Sequence, residues 1–239
     1  MAETFGGNSI NADVISGSPI IYSGSGDVNT YAQPQAAPEQ HEMPDFPASV
    51  SLLHAFADIV SYSRLNVRQQ RDSQDRLVRM LNESLAEANV RPSQVLTQDQ
   101  GDARFLVFPA GTDVTRVLAV MPWYLNKTLI ACNRDLAASA RLRLRLSFAL
   151  GLAGRGATGV TGTAATAVVR LSNAARFRQA IAGAPQASLG VIVDDQLYHQ
   201  YIKLDFRPDL SPEEYLPVQV SDSDKGFNAK AWIRIFANG

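Results

Sequence analysis

Cysteine is almost absent. Cys132 is the only one in 239 residues, which excludes an intramolecular disulfide and any cysteine-built zinc cage. The three histidines, His41, His54 and His199, share no ligand-like spacing, so a structural transition-metal site is not expected. Charge of either sign in surplus is also missing: 22 Lys and Arg stand against 23 Asp and Glu, a formal net charge of −1. That balance argues against a nucleic-acid footprint and against a polyanionic tail. No apolar run approaches 18 residues, and no charged segment followed by an apolar one opens the chain. No membrane association and a cytoplasmic location are therefore expected.

What is present divides in two. Residues 1–48 contain no Lys or Arg and are dominated by Gly, Ser, Asn, Ala, Pro and Gln. Four prolines between Gln33 and Pro47 give that tract the composition of a linker. The arm reads either as a disordered extension or as a self-association segment, in which stacked copies would pair Ile20, Ile21 and Val28 through Asn and Ser ladders. Residues 49–239 have the pattern of one globular domain, and 46% hydrophobic residues overall are enough for a sizeable core. A strand is expected over 50–60 and a helix over 66–90, with Leu77, Val78, Leu81 and Leu85 on one face. Two strands follow, at 95–97 and 104–108, then a helical stretch over 112–140 interrupted near Pro122. Strict alternation over 141–150 marks a half-buried strand, with Leu142, Leu144, Leu146 and Phe148 inside. A glycine-rich loop at 151–162, one helix over 164–182, a strand at 189–193, a short helix at 195–201 and two late strands at 215–220 and 231–236 complete the reading. The order β-α-β-β-α-β plus extras suggests an α+β sandwich, with helices on one face of a mainly antiparallel sheet.

Two acidic residues stand out. Asp58 in Phe56-Ala57-Asp58-Ile59 and Asp102 in Gln100-Gly101-Asp102-Ala103 each lie where an apolar run meets a turn. If the two strands are neighbours, both carboxylates converge at one end of a sheet, as hard-oxygen pairs that hold Mg²⁺ against a triphosphate do. Either Asp alone is more often a plain turn residue. Arg141, Arg143 and Arg145 form either a phosphate-contacting surface or the outer face of a strand, wet or covered by another segment. Gly154-Arg155-Gly156-Ala157-Thr158-Gly159 spells the dinucleotide fingerprint, but its preceding strand is half-exposed and no acidic residue follows at the right distance. No Gly-Lys-Ser/Thr and no Gly-x-Ser-x-Gly occur, which removes the P-loop and nucleophile-elbow readings.

Three segments in order resemble the class III nucleotidyl (adenylate/guanylate) cyclase superfamily, in the form of a divergent, actinobacterial-type domain. They are Phe56 to Leu65, the hairpin Gln98-Asp99-Gln100-Gly101-Asp102, and Leu142 to Gly151 followed by Val160 to Leu171. The likeness covers about residues 49–203. It implies a ferredoxin-like βαββαβ sandwich, here with an extended low-complexity N-terminal arm, working as a head-to-tail homodimer or higher assembly. It also implies that Asp58 and Asp102 hold two Mg²⁺ (or Mn²⁺) ions against a nucleoside triphosphate. The partner chain would supply transition-state groups from positions Thr166 and Arg170, four residues apart on one helix face. The base would be read at Gln98 and Gly159. The family pattern has Asn where Thr166 stands, and a side chain where Gly159 offers none. Gln98 both donates and accepts, so it announces neither adenine nor guanine.

Three functions follow. The first is a Mg-dependent cyclase that converts a nucleoside triphosphate to a 3′,5′-cyclic nucleotide and pyrophosphate for signalling. The second is a catalytically degenerate nucleotide sensor. The third is a scaffold whose arm self-associates or meets a separately encoded signalling partner. Arg170 also has a plain reading, as a solvated helix charge among Arg176 and Arg178.

Overall fold

The computed structural model describes residues 50–157, 159–204, 207–222 and 226–236. The N-terminal arm lies outside the described residues. Strand β1 (Ser51–Ile59) is central and buried along almost its whole length. It pairs antiparallel with β3 (Ala103–Val107) on one side and with β4 (Leu144–Leu152) on the other. Strand β2 (Leu96–Gln100) adds to β3, again antiparallel. Helices α1 (Val67–Glu87) and α2 (Val114–Asn133) connect β1 to β2 and β3 to β4. The order β2-β3-β1-β4 with all neighbours antiparallel is the ferredoxin-like arrangement expected from the sequence. The sheet then grows by β7 (Leu189–Asp194), parallel to β4, and by β9 (Phe227–Phe236) and β8 (Leu216–Asp222), to seven strands.

Local chemistry sets the helix ends. Asn66 and Gln69 form a reciprocal capping box that starts α1, and its buried residues Leu77, Met80, Leu81, Ser84 and Leu85 recur at three- and four-residue spacing. Asp113 caps α2 by accepting from the Arg116 amide at 3.0 Å. The expected break at Pro122 does not occur. The proline removes one backbone donor, but its ring is buried and Val117, Leu118, Met121, Leu125 and Leu129 of the same helix pack into the core before and after it, so the helix runs through. At its end the buried Asn133 amide donates to the Leu142 carbonyl and accepts from the Leu142 amide, both at 2.8 Å. Asn133→Ala leaves both backbone groups buried and unpaired, and is expected to cost about 1–3 kcal/mol in urea denaturation.

Helices cover both faces of the sheet, not one. On β1, Leu53, Ala55, Ala57 and Ile59 face α1 and α2, while Leu52 and Phe56 belong to a second cluster with Phe105, Val107, Ala164 and Val168. The second face is closed by α3 (Thr163–Asn173) and α4 (Ala175–Gly183). These were expected as a single helix, but the chain leaves helical geometry at Ala174, where ψ is 129°. The break lets α4 swing over β7–β9, with Phe177 and Ile181 buried. The expected glycine-rich loop is shorter than its composition suggested. β4 continues to Leu152, and β5 (Gly154–Gly156) pairs with β6 (Gly159–Thr161) in a small separate hairpin. That geometry leaves no strand-to-helix dinucleotide turn.

Candidate functional site

Asp58 is the last inward residue but one of β1, on the α3 face, and is 6% exposed. Strand register places it opposite Arg145 of β4 and Ala103 of β3. Arg145 donates to Asp58 Oδ2 through Nε at 2.9 Å and through Nη2, and the Ser172 hydroxyl of α3 lies 3.4 Å from the same oxygen. Asp102 sits in the tight turn between β2 and β3, where Gly101 takes the positive φ of 69° that the reversal needs. Two bonds fix that turn. The Ile59 amide donates to the Asp102 carbonyl at 3.2 Å, and Gln74 Nε2 of α1 donates to the Gly101 carbonyl at 2.7 Å. The two aspartates therefore meet at one end of the sheet. Burial raises the Asp58 pKa most, Arg145 lowers it by charge and hydrogen bond, and the neighbouring Asp102 charge raises it again.

Three of the other four sequence-selected residues line one groove, whose lining includes neither aspartate, and the fourth, Gly159, stands beside Gln98. This open groove of about 510 Å³ is lined by Gln98 and Gln100 of β2, Phe105 of β3, and Thr166, Val169 and Arg170 of α3. Gly159 borders it through Gln98: a Cβ added at Gly159, where φ is 136°, would stand 2.3 Å from Gln98 Oε1. Gly162, which opens α3, tolerates no side chain either, since a Cβ would meet the Leu152 carbonyl at 2.2 Å. Thr166 is exposed, and its hydroxyl donates back to the Gly162 carbonyl at 3.2 Å. Arg170 is half-buried and lies over the Phe227 ring, 5.0 Å from its centroid, so it is not a freely solvated helix charge.

The three arginines near the start of β4 have separate partners. Arg141 donates to the Leu136 carbonyl at 3.0 Å. Arg143 closes the C-terminal end of α4 by donating to the carbonyls of Ile181, Ala184 and Ala187, an arrangement that suits a cation at a helix terminus. Arg145 alone reaches the aspartate pair. Sequence alternation placed all three on one face but could not separate them, because their partners come from α4, β1 and the loop after α2. Ser172 and Phe227 were not singled out by the sequence at all.

Among the described residues, no group of three or more His, Cys, Asp or Glu side chains is placed to hold a metal ion. Magnesium characteristically takes one or two carboxylates and completes its shell with water and substrate phosphates. Asp58 and Asp102 fit that donor set. Burial raises the Asp58 pKa most and the Asp102 charge adds to it, so a cation held by the pair would offset both.

No family model and no curated protein matches the sequence. Solved structures do match. The adenylate/guanylate cyclase/hydrolase from Silicibacter pomeroyi superposes with a TM-score of 0.56 at 15% identity, over 79% of this chain and 99% of that one. The guanylate cyclase domain of RhGC from Catenaria anguillulae, solved with GTP, gives 0.52 at 13% identity over 80% and 98%. A bacterial light-regulated adenylyl cyclase gives 0.51 at 12% over 77% and 88%. The chain thus has the fold of class III adenylate/guanylate cyclase domains.

Proposed function

We propose that this protein is a Mg²⁺- or Mn²⁺-dependent nucleotidyl cyclase acting at a homodimer interface. The observation that carries the reading is the meeting of Asp58 and Asp102 at one sheet end, with Gln98, Thr166 and Arg170 lining a groove that includes neither aspartate. Each chain then carries two half-sites, and a head-to-tail second copy would join the aspartates of one to the groove of the other.

Asp58 and Asp102 would hold two divalent ions. Held there, such ions would supply Lewis-acid chemistry: charge neutralisation for the triphosphate and the departing pyrophosphate, and a lowered pKa for the ribose 3′-hydroxyl. The ribose 3′ oxygen forms a bond to the α-phosphorus, the bridging bond to the β-phosphate breaks, and pyrophosphate leaves with the electron pair while the hydroxyl proton passes to solvent. Arg145 opposes the rise that burial gives the Asp58 pKa, and holds that carboxylate in place by donating to its Oδ2. Across the interface, Arg170 neutralises charge on the phosphoryl oxygens. Gln98 meets the base edge, and Gly159 adds nothing beside it.

A second reading, nucleotide sensing without turnover, is favoured by Thr166. Its hydroxyl hydrogen is directed to the Gly162 carbonyl, so no donor is aimed at the phosphoryl group there. Missing one such donor typically slows a reaction by about 10²–10³. Among the described residues no helix is long and apolar enough to cross a membrane. A cytoplasmic signalling role, with a separately encoded partner meeting the N-terminal arm, extends the proposal.

The test is incubation of the purified chain with each of the four nucleoside triphosphates and Mg²⁺ or Mn²⁺, following cyclic product and pyrophosphate. One triphosphate should yield both. Binding without product would select the sensor, and neither binding nor product would remove the nucleotide reading.

A further inference from the structure

The late hairpin β8–β9 lies outside the ferredoxin-like core, at the far edge of the sheet from the β2–β3 turn. Its first residue in β9, Phe227, is half-buried against a separate apolar cluster made by Leu171, Phe177, Ile192, Val220 and Ile233. One flank of the ring is thus fixed to the sheet and to α4. The other carries the guanidinium of Arg170, 5.0 Å from the ring centroid. Arg170 also lines the groove with Gln98 and Thr166, so the contact with Phe227 sets where its charge stands at the groove rim. Arg170 has no ion pair among the described residues, and the aromatic face is the contact the structure gives its charge.

We propose that Phe227 is a positioning residue for Arg170: its ring pre-orients the guanidinium toward the nucleotide phosphates, making the C-terminal hairpin part of the machinery of turnover. This rests on the cyclase reading above. An arginine free to sample its rotamers would find the reactive pose only part of the time, whereas a guanidinium seated on an aromatic face keeps its planar fork aimed while its edge N–H groups remain open. The ring acts through Arg170 and touches no substrate, so its effect belongs in kcat and not in substrate binding.

The experiment compares Phe227→Leu, which keeps an apolar anchor but removes the ring, with Phe227→Tyr, which keeps the ring, and with Arg170→Ala. Each is assayed for cyclic product with the preferred triphosphate. Phe227→Leu should lower kcat about 5- to 30-fold with KM unchanged, the range expected for a partly desolvated cation–π contact. Phe227→Tyr should stay near the parent protein, and Phe227→Leu added to Arg170→Ala should bring no further loss. The ring-current shift of the Arg170 side-chain Nε–H signal in NMR spectra should be present in the parent and in Phe227→Tyr, and absent in Phe227→Leu. The inference is overturned if Arg170→Ala is impaired while folded Phe227→Leu keeps the parent kcat, or if Phe227→Tyr loses as much as Phe227→Leu. A parent chain that turns over no triphosphate overturns the cyclase reading itself, and this role with it.

Discussion

Arg145→Ala is expected to lower the unfolding free energy by about 3–5 kcal/mol, the loss seen when a buried charge is stripped of its partner. The pair it breaks is secluded: the side chains of Arg145 and Asp58 are 12% and 9% exposed. Replacing the arginine leaves the carboxylate beneath α3 with the Ser172 hydroxyl, 3.4 Å away, as its remaining side-chain hydrogen-bond partner among the described residues. The pH dependence follows from the direction of the Asp58 shift. Its folded pKa is raised above the ordinary value of 3.8, so between the two values the native state holds more protons than the unfolded state. Stability therefore falls as pH rises through that window. In Arg145→Ala both lowering influences of the guanidinium disappear, the folded pKa climbs further, and the decline extends to higher pH. Denaturant unfolding from the acid range to neutrality measures both effects. A variant as stable as the parent at neutral pH would mean that the pair is not secluded in solution.

Asp102→Asn should abolish divalent-cation-dependent turnover, by at least about 10²-fold, while the domain stays folded. It is a cleaner probe than Asp58→Ala, which would strand Arg145 and confound activity with folding. Asp102 is only half-buried, and its structural contribution here is a backbone carbonyl that the substitution retains. Removing its charge should also lower the Asp58 pKa, a shift readable by carboxyl NMR whether or not the enzyme turns over. Complementation then tests the shared site. Asp102→Asn and Arg170→Ala chains, each strongly impaired alone, should regain roughly a quarter of parental activity when mixed, because half the dimers are mixed and each keeps one intact site of two. Persistent inactivity of the mixture, with dimers present by mass measurement, would place Asp102 and Arg170 in one and the same half-site.

Much of this was legible because local and long-range signals agreed. Alternation at 141–150 and the apolar run at 50–60 located β4 and β1, and the Gln100-Gly101-Asp102-Ala103 turn fixed the hairpin that brings Asp102 to Asp58. The α3–α4 break was not legible, since Ala174 carries no stop signal and the bend answers to the packing of Phe177 over β7–β9. Pro122 misled in the opposite direction, because burial held together a helix that propensity alone would interrupt. The separate duties of Arg141, Arg143 and Arg145 depend on elements as many as 87 residues away in sequence, a distance that no pattern on a single strand encodes.

Among the described residues, strand β2 is the outermost strand of the sheet on its side and pairs only with β3. Gln98 therefore rides on an edge strand, whereas Asp58 sits on a strand paired on both sides. Amide exchange should be faster along β2 than along β1. Under the proposed function, a periphery that breathes around a rigid centre would let base preference drift through replacements at position 98 without disturbing the strand that carries Asp58.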